Sequence, residues 1–181
     1  SMVLEDVGEE PTPELVERML RTYEEKLPAR VKTAEGGRLM PRVRAILEHL
    51  EGREEVLNLL LTGNTETGAA AKLGHFGIDR FFSGGAFSVD AAPREEIARR
   101  GRALAAEILG REPDDEHVYV IGDTEHDVRC GKAIGARTIA LGTGPNTDRA
   151  AIEAAGPWTY LDELPEPDQF ERLVGLSGSS A

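Results

Sequence analysis

The sequence predicts an α/β fold, a doubly wound (Rossmann-like) parallel sheet carrying part of a helical cap. Three observations predict it. Val56–Leu61 and Val118–Ile121 are continuous apolar runs of strand length, as buried parallel strands require. Each ends in small or polar residues and leads into a helical pattern. From residue 56 onward strand and helix signals alternate, which places helices on both faces of one parallel sheet.

The elements follow in order. Residues 3–35 are helical and charged. Pro11-Thr12-Pro13 reads as a helix start, with Thr12 as cap and Pro13 at the first helical position. Leu15, Val16, Met19, Leu20 and Tyr23 then form one apolar face. Gly36-Gly37 breaks this helix, and a second carries Val43, Ile46, Leu47 and Leu50 before Gly52. After the Val56–Leu61 strand, Thr65–Leu73 is a helix, Phe81–Phe87 a short strand or turn, and Arg94–Leu109 a helix ended by Gly110. Val118–Ile121 is a strand, His126–Ile134 a helix closed by Gly135, and Arg137–Leu141 a strand. Thr147–Ala155 is a helix, Trp158–Leu161 an edge strand and Glu166–Val174 a last helix. The division expected is a cap remnant over residues 1–37, an α/β core over 38–174 and a disordered tail over 175–181.

Composition narrows the class. The chain has 181 residues, 40% hydrophobic and 30% charged, with a formal net charge of -12. That balance speaks against general nucleic-acid binding, since no basic surface offsets phosphate repulsion. It does not exclude a phosphorylated small molecule, because local cations invert the field. The one cysteine, Cys130, allows no internal disulfide and suits a reducing cytoplasm; it reads as a small buried residue. No apolar stretch approaches the ~20 residues that span a bilayer. Neither substrate nor oligomeric state is legible.

Two segments carry chemistry, and both fall beyond the carboxyl ends of strands, where this architecture binds ligands. The first is Thr62-Gly63-Asn64. A threonine hydroxyl donates to phosphate oxygens, glycine lets backbone N–H groups approach an anion, and the following helix start adds a favourable dipole. A plain turn in which Thr62 and Asn64 cap the helix is the competing reading. The second is Gly122-Asp123-Thr124-Glu125-His126-Asp127. Asp123 and Asp127 can converge on one hard cation such as Mg²⁺, which takes few protein carboxylates. The competing reading is an acidic helix start favoured by the macrodipole. His126 is a surface residue, since Mg²⁺ prefers oxygen. His75 and His117 look structural, and His49 sits on a solvated helix. Arg94 opens the helix before the second strand, where a cation could neutralise a phosphoryl group; Lys72 is a weaker candidate.

Hydroxyl–Gly–Asn, then a basic residue, then Gly-Asp-x-x-x-Asp, in that order, resembles the haloacid dehalogenase superfamily, and within it the phosphoglycolate-phosphatase-like enzymes. The likeness runs from about Leu39 to Leu164. It implies an Mg²⁺-dependent phosphatase acting on a small phosphorylated metabolite through an aspartyl-phosphate. Thr62, Gly63 and Asn64 would bind the phosphoryl group, Asp123 and Asp127 would serve Mg²⁺, and Arg94 would stand where the family more often has a lysine. The family's opening strand, ending in Asp-x-Asp-x-Thr and supplying the nucleophile, has no counterpart here. Its place is the middle of the sheet, so its loss leaves unpaired backbone groups. The expectation is therefore a truncated record of a longer enzyme. The alternatives are a catalytically inactive phosphate- or metal-binding module and, less in keeping with Thr-Gly-Asn, a receiver-like domain.

Overall fold

The computed structural model describes residues 12–33, 37–88, 93–144 and 147–176. The first helix, α1 (Pro13–Thr33), begins as the sequence predicts, with Thr12 Oγ1 accepting from Leu15 N–H at 3.3 Å. Its apolar face is only partly used: Leu15 and Val16 are half-buried, Met19 and Tyr23 exposed. Leu27 is buried, and Leu27 and Tyr23 pack against Gly68 of the helix after the first strand. The Leu20 side chain, residues 1–11 and residues 177–181 lie outside the described residues.

Helix α2 (Val43–Leu50) leads to β1 (Leu60–Leu61), α3 (Glu66–Phe76) and β2 (Gly85–Ala86). Then come α4 (Arg94–Leu109), β3 (Tyr119–Gly122), α5 (Glu125–Ala133), β4 (Arg137–Leu141), α6 (Arg149–Ala155), β5 (Thr159–Leu161) and α7 (Pro167–Leu173). Every strand pairing is parallel, β1 with β2 and β3–β4–β5 in that order. The α/β class is as predicted. Strand β4 shows why: Ile139 and Leu141 enter one core with Ile46, Leu50, Phe170 and Val174, while Ala140 enters another with Val128 and Ile152. Alternate residues thus bury against helices on opposite faces. No helix among the described residues is long and apolar enough to cross a membrane.

The sheet is split between β1 and β3. In a parallel ladder alternate residues turn both N–H and C=O to the same neighbour. Leu60 and Thr62 donate to Gly84 O and Ala86 O, and Asn58 O accepts from Ser83 N–H. Leu57, Leu59 and Leu61 therefore turn their backbone groups the other way. On the far side Val118 O accepts from Arg137 N–H, so Tyr119 and Ile121 turn away from β4. Both edges face a cleft of about 500 Å³, floored by Ala98 and Gly101 of α4 on one side and by Phe170 and Val174 on the other. Ile121 is 43% exposed, whereas β4 is buried from Thr138 to Leu141. Among the described residues no strand fills this central position, where the sequence reading expects the family's opening strand. This also bears on a difference from the sequence reading. The apolar run Val56–Leu61 forms ladder bonds regular enough for a strand only at Leu60–Leu61, one of its edges having no partner among the described residues.

Candidate functional site

The Thr62 turn is not a helix cap. Thr65 caps α3, its side chain accepting from Gly68 N–H at 3.2 Å. Thr62 is thereby released from the capping role that the competing reading gave it. Its Oγ1 accepts from Asn64 N–H at 3.1 Å and from Asn64 Nδ2 at 2.8 Å. Asn64 O in turn accepts from Ser88 N–H at 3.1 Å, which pins the turn to the chain leaving β2. Lys72, one of the weaker sequence candidates, reaches Asn64 Oδ1 at 2.8 Å.

Arg94 is brought to this turn. Its helix starts where the sequence predicts, and a Cβ built on Gly63 would lie 3.4 Å from Arg94 Nη2. Gly63 thus keeps an exposed backbone stretch directly under a guanidinium. Arg94 makes no ion pair among the described residues, although the chain has 33 acidic and 21 basic residues. The charges of Asp127, Glu95 and Arg94 all act on the Cys130 thiol of the second motif's helix. Cys130 is buried, and burial pushes its thiol upward, so it is the inert packing residue predicted.

The second motif opens α5 with a reciprocal cap. Thr124 Oγ1 accepts from Asp127 N–H at 3.4 Å. Asp127 Oδ2 accepts from Asp123 N–H, Thr124 N–H and Thr124 Oγ1 at 3.2, 3.1 and 2.7 Å. All three bonds fall on one oxygen, so Oδ1 has no hydrogen-bond partner among the described residues. Asp127 therefore holds the loop that carries Asp123. Asp123 itself is half-buried, and no other described residue hydrogen-bonds its carboxyl. Its carboxyl is pushed above the usual range by burial first and then by the Asp127 charge, against a backbone hydrogen bond that lowers it. A carboxylate that is desolvated, unpaired and beside another carboxylate is an oxygen donor set that suits a hard divalent cation.

Two glycines make room for these carboxylates. A Cβ on Gly144 would sit 1.5 Å from Asp123 Oδ2, and one on Gly122 would sit 2.3 Å from Asp127 Cγ. Gly122→Ala should therefore expel the Asp127 side chain from the loop. The expected loss is about 1–3 kcal/mol of stability by urea denaturation, the usual scale for overpacking. Unchanged stability would show that Asp127 can hold the loop from another rotamer.

The histidines divide. His126 is exposed beside Glu125, as predicted, whereas His75 and His117, which the sequence suggested were structural, are exposed. His49 is not simply solvated: it is half-buried and lies 2.8 Å from Glu171 Oε2, tying α2 to α7. Asp168 is nearby, but Glu171 is also engaged by Arg53 at 2.7 Å, an ion-pair network joining the two helices. Sequence reading missed this contact because the partners are far apart in the chain.

Known proteins bear on this geometry. A family model described as HAD-hydrolase-like matches residues 93–167. Among curated proteins none matches the chain significantly. Solved structures do. CbbY from Rhodobacter sphaeroides in complex with phosphate is 22% identical, with a TM-score of 0.67 over 85% of this chain and 66% of that one. A predicted phosphoglycolate phosphatase from Haemophilus somnus 129pt is 18% identical, with a TM-score of 0.66 over 94% of this chain and 72% of that one. A predicted phosphatase from Clostridium acetobutylicum is 17% identical, with a TM-score of 0.59 over 74% of this chain; the chain spans only 59% of its length. The chain has the haloacid-dehalogenase-like fold, and residues 93–167 match that family's hydrolase model, as the order of the sequence motifs anticipated.

Proposed function

We propose that this chain is the greater part of a Mg²⁺-dependent phosphatase that hydrolyses a small phosphate monoester through an aspartyl-phosphate. The observation that carries this reading is the strand position between β1 and β3 that no described residue fills. At its carboxyl end stand the Thr62 turn on one flank and Asp123 on the other. A strand placed there would end between them, where a nucleophilic carboxylate is needed. Thr62 and the Gly63 backbone would bind the phosphoryl oxygens, and Arg94 would offset their charge. Asp123 would hold Mg²⁺, with Asp127 fixing the loop that presents it. When bound, the ion supplies charge stabilisation to the transferred group. Residues 1–37 would belong to the cap above the site.

A small phosphorylated metabolite is supported by what two similar structures contain. CbbY has been solved with phosphate and also with xylulose-1,5-bisphosphate. The test is phosphate release from a simple aryl phosphate, with and without Mg²⁺, by a protein in which the central strand is present. Asp123→Ala in that protein should abolish Mg²⁺-dependent turnover; retained turnover would remove Asp123 from the metal site. A strand-completed protein that binds Mg²⁺ and phosphate but releases nothing would favour the inactive binding module instead.

A further inference from the structure

A phosphate-binding hydroxyl must aim its proton outward, and the hydrogen bonds around Thr62 decide where that proton goes. A hydroxyl has two lone pairs and one proton. Both lone pairs of Thr62 Oγ1 are occupied, by Asn64 N–H at 3.1 Å and by Asn64 Nδ2 at 2.8 Å. The proton is left to point away from Asn64, into the open turn beside Gly63 and Arg94. This holds only while Asn64 shows its NH₂ to Thr62. A reversed amide would offer its oxygen instead, and the hydroxyl would turn inward to donate to it.

Lys72 fixes the amide. Its Nζ lies 2.8 Å from Asn64 Oδ1. An ammonium has only protons to give, so the atom facing it must be the amide oxygen, and the NH₂ must face Thr62. Chain geometry supports the reach. With Thr65 as cap and Glu66 as the first residue of α3, Lys72 lies about two turns into the helix. Helical side chains lean toward the N-terminus, which carries the half-buried lysine stem back to Asn64. Among the described residues the Lys72 ammonium is held by Asn64 Oδ1.

We propose that Lys72 is a positioning residue: through Asn64 it orients the Thr62 hydroxyl as an outward donor to a phosphoryl oxygen. This rests on the reading of Thr62 as the phosphate-binding hydroxyl. The test is orthophosphate titration of the full chain with Mg²⁺ present, followed by backbone and side-chain amide NMR. Thr62→Ala should weaken phosphate about tenfold, the scale of one hydrogen bond to a charged group. Lys72→Met should weaken it by a similar factor, about tenfold at most, and Lys72→Arg, which also only donates, should restore most of it. In a Thr62→Ala background Lys72→Met should cost nothing further.

The outcomes separate the two claims. Absence of phosphate binding, or undiminished binding in Thr62→Ala, overturns the role of Thr62 and the proposal with it. Loss at Thr62 together with an additive loss at Lys72 leaves Thr62 in place and overturns the relay, since Lys72 then acts by its own charge. A phosphate-independent readout guards against a variant that misfolds. In the parent chain the Asn64 side-chain NH₂ should exchange slowly with water. Fast exchange there overturns the relay outright.

Discussion

Filling the cleft between β1 and β3 with an extended apolar segment should give the chain activity on an aryl phosphate. The segment needs about five residues, the length over which the two edges offer backbone partners, and should run parallel to both. It should be apolar on both faces, because α4 presents Ala98 and Gly101 on one side and Phe170 and Val174 close the other. Its carboxyl end should carry Asp-x-Asp. It can be joined ahead of the chain by a flexible linker. Mg²⁺-dependent release of phosphate should rise by roughly 10³-fold or more, since loss of a catalytic nucleophile costs at least that much in well-studied hydrolases. A matched segment with Asn for the first Asp separates folding from chemistry. It should raise thermal stability as much as the acidic segment, by pairing Leu57, Leu59, Leu61, Tyr119 and Ile121, yet leave turnover at background. If neither segment raises stability, the cleft is not a strand position. If both stabilise and neither gives turnover, the chain is a binding module.

Most of the fold was legible because its cues are local. The apolar run at Val118–Ile121, the Thr12-Pro13 start and the glycines after α4 and α5 each determine an element without reference to distant residues. Strand β1 was over-read for a physical reason. Apolar character marks a segment that will be buried between two neighbours, and among the described residues Val56–Leu61 has only one. The helical face of α1 was over-read similarly, since periodicity shows that a face exists but not what covers it. The candidates Thr62, Arg94, Asp123 and Asp127 stand out in the sequence by residue type and position. The relay from Lys72 does not. A lysine in the second turn of a helix is usually solvated, and only the Thr65 cap, which sets the helix phase, brings it to Asn64. That signal was present in the spacing of Asn64, Thr65 and Lys72.

Replacing Asp123 with asparagine should stabilise the metal-free chain near neutral pH and abolish its response to Mg²⁺. The carboxyl is held above its usual range by burial and by Asp127. The folded state thus binds this proton more tightly than the unfolded one. Stability from the group is full below the unfolded value and is lost as pH rises through the raised folded value. At neutral pH the parent carries a desolvated charge beside a second carboxylate, and asparagine removes it at nearly constant shape. The metal-free melting temperature of Asp123→Asn should exceed that of the parent, and its decline with rising acid-range pH should be shallower. Mg²⁺ inverts the order. A cation at about 100 times its dissociation constant adds roughly 2.7 kcal/mol, or roughly 5–10 °C for a chain of this size. Asp123→Asn should show none of that gain, and Asp127→Asn part of it, because Asp127 Oδ2 is already bonded to the loop. Equal Mg²⁺ shifts in parent and Asp123→Asn would mean that the ion binds elsewhere, and that the raised carboxyl is a cost of burial with no metal to relieve it.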